Sequence, residues 1–143
     1  MVFEMQVVSH SPRTGETDPE RLTKEFLGMM GYAGRKGPDN GIAYRIFYDC
    51  FLLHPTRDWT VEELAAECGT SVPSIYRHVN KLGDLDLIED LHIPVDGKDR
   101  RAFRLRYGSL SKAWNHVEVH FQNAMESYRA TVDHLETLLE GRR

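Results

Sequence analysis

The strongest constraint on the fold is a pair of short helical segments between residues 60 and 82, separated by one glycine. Thr60 and Glu63 have the spacing of a capping box, which predicts that a helix starts at Val61. Gly69 permits the left-handed backbone of a tight turn, and Ala65 is small enough for a second helix to cross closely. The segment therefore predicts two short helices packed across a tight turn.

The second helix of this pair begins after Ser71, which can cap it. Pro73 is tolerated because the first turn of a helix leaves its amide groups without intrahelical partners. Its apolar residues fall on one face, and they are Val72, Ile75, Val79 and Leu82. This face is expected to pack on the first helix, leaving a polar face outward.

Two extended segments follow, at Ile88–Val95 and Arg101–Tyr107, with a turn-rich stretch at residues 96–100 between them. We interpret them as a β-hairpin with a basic tip.

Residues 60–107 resemble the winged helix-turn-helix of MarR-type and ArsR-type transcriptional regulators. The resemblance is carried by residues 64–82 and by the sequence Asp-Gly-Lys-Asp-Arg-Arg-Ala at 96–102, which is similar to the MarR wing. It implies a mainly α fold with a small β-hairpin wing. It also implies sequence-specific binding of double-stranded DNA in transcription regulation, with no enzymatic activity and no cofactor.

The outward face of the second helix, the recognition helix, supplies the first set of predicted DNA contacts. Arginine pairs bidentately with guanine and asparagine with adenine, so Arg77 and Asn80 are the candidates for base contact in the major groove. Pro73 faces outward beside them. The candidates for phosphate contact are Ser71, Ser74, Tyr76 and Lys81.

The wing supplies the second set. The MarR resemblance implies that Lys98, Arg100 and Arg101 contact the DNA backbone or minor groove, with Asp99 or Asp96 holding an arginine in place. The chain departs from the family pattern in two places. Asp86 stands where the family usually has a glycine before the wing strand, and aspartate tolerates the left-handed backbone needed there. One long final helix replaces the usual two.

That final helix, in residues 108–143, starts at Ser109 and runs for about 30 residues by its apolar periodicity. Aromatic and aliphatic residues repeat every seven positions and predict a homodimer seam formed by Leu110, Trp114, Val117, Phe121, Tyr128 and Leu135. The alternative is that its aromatic residues pack back onto the first two helices of the same chain.

Before the winged unit, residues 1–17 are predicted to form a flexible arm or an edge strand, and residues 18–59 to form two helices. Asp18 and Pro19 start the first of these helices, and the second runs from Ile42 to Leu53. Apolar neighbours around Cys50 and Cys68 favour buried, reduced thiols over a redox-sensing pair.

The net charge of −4 excludes a uniformly basic nucleic-acid coat, so DNA binding has to come from local clusters. Residues 72–83 contain Arg77 and Lys81 without an acid, and residues 97–106 contain five basic residues against Asp99. No apolar run approaches the roughly 20 residues needed to cross a bilayer, so we expect a soluble cytoplasmic protein without a membrane partner.

Two other functions are compatible with the sequence. His116, Glu118 and His120 occupy alternate and i, i+4 positions on the last helix, where the two histidines have the spacing of a helical metal site. With His134 and Glu136 they suggest an ArsR-like metal sensor with a site across the dimer. A winged helix also serves in protein contact, but such modules need no basic wing. A small-molecule effector is compatible with the aromatic residues between the last helix and the winged unit.

Overall fold

A computed structural model describes residues 3, 5, 7, 9–31, 40–84 and 86–143. Helix α1 (Pro19–Met29) begins as predicted, because the carboxylate of Asp18 accepts a hydrogen bond from the backbone amide of Glu20 at 3.1 Å. Phe3 and Met5 pack against the core, and none of the described residues up to 17 lies in a strand. Residues 1, 2, 4, 6 and 8 of the predicted arm lie outside the description.

Helix α2 (Asn40–Arg45) continues directly into a π-helical segment, Ile46–Leu52. The sequence predicted an ordinary helix here, and the wider turn is shown by the Leu53 amide, which bonds to the carbonyl of Tyr48 at 3.0 Å. The buried residues of this segment are Ile46, Phe47, Tyr48, Cys50 and Phe51. The segment therefore runs through the interior rather than along the surface.

Helices α3 (Val61–Cys68) and α4 (Val72–Asp84) form the predicted pair. Both hydrogen bonds of the Thr60 and Glu63 capping box are present, and Gly69 ends α3 in the left-handed region with φ 63°. Leu64 on α3 and Ile75 and Val79 on α4 are nearly or fully inaccessible to solvent. The apolar stripe of α4 thus faces inward, which leaves its polar stripe exposed.

The three strands are β1 (Trp59–Thr60), β2 (Ile88–Val95) and β3 (Lys98–Leu105), in the antiparallel order β1-β3-β2. Asp96 and Gly97 close the hairpin alone, with φ values of 50° and 75°, the left-handed pair that a two-residue turn between twisted strands requires. The predicted five-residue turn was too long: Lys98 pairs with Val95, so residues 98–100 belong to the strand. Strand β1 was not predicted.

Helix α5 (Leu110–Glu140) is a single helix of 31 residues, capped by Ser109 as predicted. Its first half lies on the core, where Ala113 and Val117 are completely buried and Trp114 packs edge-on against Phe26 with ring centroids 5.9 Å apart. Every residue beyond Ala124 is exposed. The architecture is a winged helix-turn-helix with a long C-terminal helix, which confirms the predicted fold class.

Cys50 lies in the π-helical segment and Cys68 is the last residue of α3. Both cysteines are buried, as predicted. The pKa of Cys50 is raised above its ordinary value, mainly by its hydrogen bond with the Cys68 thiol and secondly by burial. Cys50 therefore stays a protonated thiol in the folded chain.

Replacing Gly69 by alanine is expected to lower the free energy of unfolding by about 1 kcal/mol, because a side chain disfavours the left-handed backbone. A Cβ at this position meets no atom within 4 Å, so the backbone is the sole source of the cost. Urea denaturation of the two proteins measures the difference. Gly15→Ala, in an equally open position but without a positive φ, is the control, and an equal loss in both variants would contradict the explanation.

Candidate nucleic-acid interface

The outward face of α4 carries most of the side chains that the sequence assigned to DNA. Pro73, Arg77, Asn80 and Lys81 are exposed, while Tyr76 is half-buried at the edge of the face. Residues 72–83 include no acid, so this face has no carboxylate of its own to repel a phosphate backbone.

The two serines at the start of α4 have different positions from those expected. Ser71 is exposed, and its hydroxyl accepts a hydrogen bond from the Ser74 amide at 3.3 Å, so it caps the helix. The side chain of Ser74 is buried, with only 8% of the residue exposed. Ser74 therefore does not lie on the outward face, contrary to its expected place among the phosphate contacts.

The wing exposes Lys98 and Arg100 next to the hairpin turn. Arg100 lies near Glu62 of α3, with 3.9 Å between Nη1 and Oε1 and both side chains well solvated. An ion pair of this length and exposure contributes little, so it does not hold the arginine in place.

Arg101 is held by Asp90 of the neighbouring strand, which corrects the expectation that Asp99 or Asp96 holds an arginine of the wing. Its Nε and Nη2 atoms donate to the Asp90 carboxylate at distances of 2.7 to 3.1 Å. These bonds raise the pKa of Arg101 above its usual value. Asp99 lies instead beside His92, with 3.1 Å between Oδ2 and Nδ1.

The physical reason is the register of the hairpin. Because the turn has two residues, Arg101 stands opposite His92 and Phe103 stands opposite Asp90. All four side chains therefore share one face of the ribbon, where diagonal neighbours can touch.

This same face brings the wing against the recognition helix. The Arg101 guanidinium lies 5.4 Å from the ring centroid of Tyr76 and 5.1 Å from that of Phe103. Tyr76 belongs to α4 and Arg101 to β3, so this cation–π contact joins the wing to the recognition helix, while the bonds to Asp90 hold Arg101 within the wing. Tyr76 and Arg101 were each predicted from the sequence as DNA contacts, but the role of Asp90 was not.

Arg104 and Arg106 do not contribute to the exposed basic surface of α4 and the wing. The sequence had placed them among the basic wing residues that favour DNA. Arg104 bonds to Glu89 at 2.9 Å, its direct partner across the strands, and lies 3.5 Å from Asp58. Arg106 bonds to Asp86 at 2.8 Å. Both cations are paired at the base of the sheet, so the basic surface of the wing is formed by Lys98 and Arg100, beside an exposed Arg101 that is itself paired with Asp90.

The two histidines considered for a metal lie on α5, one turn apart, and point toward the end of the recognition helix. Asp86 joins them there, and the three side chains place ligand atoms within 4.8 Å of one another. The sequence suggested a metal site shared between two copies of the chain. In the structure the third potential ligand, Asp86, comes from the same chain as the two histidines.

At the junction of α5 with the rest of the chain, the aromatic rings considered for an effector site pack on one another. Phe26 stacks on Phe47 with ring centroids 6.1 Å apart and meets Trp114 edge-on. Core packing therefore accounts for these rings.

No family model matches the chain, and neither does any curated protein. Similar solved structures include a possible transcriptional regulator from Methanosarcina mazei Go1, with 16% identity over 76% of this chain and 85% of that one, and a TM-score of 0.47. They also include S. aureus MepR from a complex with DNA (15% identity, 83% and 92% coverage, TM-score 0.44) and a Lactococcus lactis ZitR mutant (17%, 82% and 85%, TM-score 0.39). Because these scores lie below 0.5, the fold is assigned from the chain's own elements. Among the described residues, no helix is both long and apolar enough to cross a membrane.

Proposed function

We propose that the chain is a homodimeric transcription regulator that binds double-stranded DNA by sequence, with α4 in the major groove and the wing on the backbone or minor groove. The observation that carries the proposal is the continuity of two exposed basic surfaces, the acid-free face of α4 and the wing residues Lys98 and Arg100, joined by the contact of Arg101 with Tyr76. In this arrangement Arg77 and Asn80 read bases, and Ser71, Tyr76, Lys81 and the wing contact phosphates.

A dimer is supported by the far half of α5. Its large exposed apolar side chains follow a spacing of three and four residues, the seam of a two-stranded coiled coil, at Met125, Tyr128, Val132, Leu135 and Leu139. Leu135 is 53% exposed and Tyr128 69%. Such a continuous apolar row in water favours a second copy of the same helix as its cover.

This seam is narrower than the one predicted from the sequence. Val117 is completely buried among residues of its own chain, and Leu110 and Trp114 pack on the same core. These three residues are therefore removed from the proposed interface. Phe121 is half-buried at the boundary, and Tyr128 and Leu135 remain in the seam.

Selection of bound fragments from a random pool of duplex DNA tests the proposed function. We expect enrichment of a two-fold symmetric site whose half-sites lie about 34 Å apart, because a two-fold dimer presents two recognition helices. An unenriched pool at moderate salt would contradict sequence-specific DNA binding and would favour a winged helix used for protein contact.

Replacing Arg100 by alanine is expected to weaken binding to all duplexes alike and to reduce the slope of log K against log salt by about 1, because one phosphate contact is lost. Fluorescence anisotropy at several salt concentrations measures this. Arg129→Ala removes the same charge from the exposed far half of α5 and should leave the slope unchanged. Loss confined to one DNA sequence would instead assign Arg100 to base contact.

A further inference from the structure

Three side chains from two separate segments converge where the winged unit meets α5. The Oδ2 atom of Asp86 lies 2.8 Å from Nε2 of His116 and 2.6 Å from Nε2 of His120. The two Nε2 atoms are 3.2 Å apart. The side chains are 21%, 27% and 37% exposed, so the cluster is partly buried but accessible to solvent.

Hydrogen bonds alone satisfy these three atoms poorly. If both rings present an N–H to the same carboxylate oxygen, the two N–H groups crowd each other. If one ring presents a bare nitrogen, its lone pair faces the negative oxygen. A cation between the three atoms would instead accept a lone pair from each. Ligands about 2.0–2.2 Å from a tetrahedral Zn²⁺ are about 3.3 Å apart. The two Nε2 atoms, 3.2 Å apart, already have nearly this spacing, and the two distances from Oδ2, 2.6 and 2.8 Å, need to open by roughly 0.5 to 0.7 Å.

The groups around the triangle hold it in the orientation that a cation requires. The second carboxylate oxygen of Asp86 accepts a hydrogen bond from Arg106 Nη2 at 2.8 Å, which leaves Oδ2 directed at the histidines. The Nδ1 atom of His116 lies 3.4 Å from the hydroxyl of Tyr107. When Nε2 is a ligand, Nδ1 carries the proton and can donate it to such an oxygen, the usual support of a metal-bound histidine.

The backbone adopts a left-handed conformation on both sides of the cluster. Asp86 has φ 64° and Tyr107 has φ 58°, two of the three positive values at non-glycine residues in the described part of the chain. Glycine adopts this conformation without a steric cost, and the family that the sequence resembles usually has it at the position of Asp86. Aspartate tolerates this conformation as well, so the backbone at residue 86 is compatible with a carboxylate directed at the histidines.

We propose that Asp86, His116 and His120 bind one divalent transition-metal ion, with water completing the coordination. Two imidazoles and one carboxylate suit Zn²⁺ and similar ions, whereas Ca²⁺ and Mg²⁺ prefer all-oxygen sites. Asp86 lies two residues beyond the end of α4, and the histidines lie on α5, so the ion links the recognition helix to the final helix. An effect of the ion on DNA affinity would follow, and that part rests on the proposed function.

Titration of the metal-free full chain with Zn²⁺, against a chromophoric chelator, tests the site. We expect one Zn²⁺ per chain and a melting temperature that rises with Zn²⁺ concentration. The double variant His116→Ala, His120→Ala should lose at least about 100-fold in affinity, since a single supporting group is already worth 10- to 100-fold. His134→Ala, on the exposed far half of the same helix, is the matched control. Absence of stoichiometric uptake, or equal uptake by the double variant, would overturn the site.

Asp86→Gly keeps the test informative if the histidine variants fold poorly. Glycine suits the backbone there, and although the ion pair with Arg106 is lost, this variant should still fold without metal and should bind Zn²⁺ at least about 10-fold more weakly. Unchanged Zn²⁺ affinity would remove Asp86 from the site.

DNA affinity measured with and without Zn²⁺, in the parent and in Asp86→Gly, separates the two levels of the proposal. A change in the parent alone supports coupling between the site and DNA. Zn²⁺ uptake with no change in DNA affinity overturns the coupling. Zn²⁺ uptake by a chain that binds no DNA overturns the proposed function and leaves the metal site standing.

Discussion

Replacing Tyr128 and Leu135 together by glutamate is expected to convert the proposed dimer into a folded monomer, with a mass close to the 16.5 kDa of one chain. Both side chains are more than half exposed in the single chain, so the change removes no packing from its own core. Four carboxylates at the centre of a paired helix seam would have to be desolvated beside one another, which disfavours the dimer strongly.

Light scattering coupled to size exclusion measures the mass, and circular dichroism shows whether the winged unit remains folded. DNA affinity should fall by about 100-fold or more, because the second half-site no longer binds as part of one molecule. The matched control is Ala130→Glu with Thr137→Glu, which adds the same charge to the same helix, away from the seam. Dimers that persist in the seam variant would place the interface elsewhere, with α1 the next region to test.

Replacing Arg77 by alanine is expected to weaken specific DNA binding by about 1 to 3 kcal/mol, a factor of roughly 5 to 150, and to relax the preference at one base pair. Arg77 lies on the exposed face of α4, between Pro73 and Asn80, where an element entering the major groove presents its base-reading side chains. Binding to duplexes with each base substituted in turn gives both quantities.

Arg77→Lys separates charge from geometry. Lysine keeps the positive charge but lacks the planar pair of donors, so it should retain nonspecific affinity while losing much of the discrimination. An equal loss on every duplex from Arg77→Ala would assign this residue to the phosphate backbone. Melting temperatures of the free variants check that the change acts on the complex.

The helix pair was predictable because its signals are local. Thr60 and Glu63 lie one turn apart, Gly69 alone suits the left-handed turn, and the apolar stripe of α4 repeats at helical spacing. The wing was predicted less well, because its register depends on the turn. Recognising Asp96-Gly97 as a two-residue hairpin turn would have paired Val95 with Lys98, and from that register the contact between Asp90 and Arg101 follows.

Long-range pairing is what the sequence could not supply. The sequence predicted Arg104 and Arg106 as DNA-facing cations. In the structure Arg104 is paired with Glu89 and Arg106 with Asp86. Val117 fits the same seven-residue repeat as Tyr128, yet one packs on the chain's own core and the other faces water. Periodicity defines a face of α5 but does not show which part of that face is buried, so the division of this helix into a core-packed half and an exposed half emerged only from the structure.

Because α5 is fully exposed beyond Ala124, hydrogen exchange of its amides can measure dimerisation. A single helical segment of this length is marginally stable in water, so within a lone chain it should open often and exchange its amide hydrogens rapidly. Covered by a second copy, the same amides should exchange slowly, and the slowing should grow with protein concentration. The exchange rate of this segment would then report the fraction of chains that are dimeric.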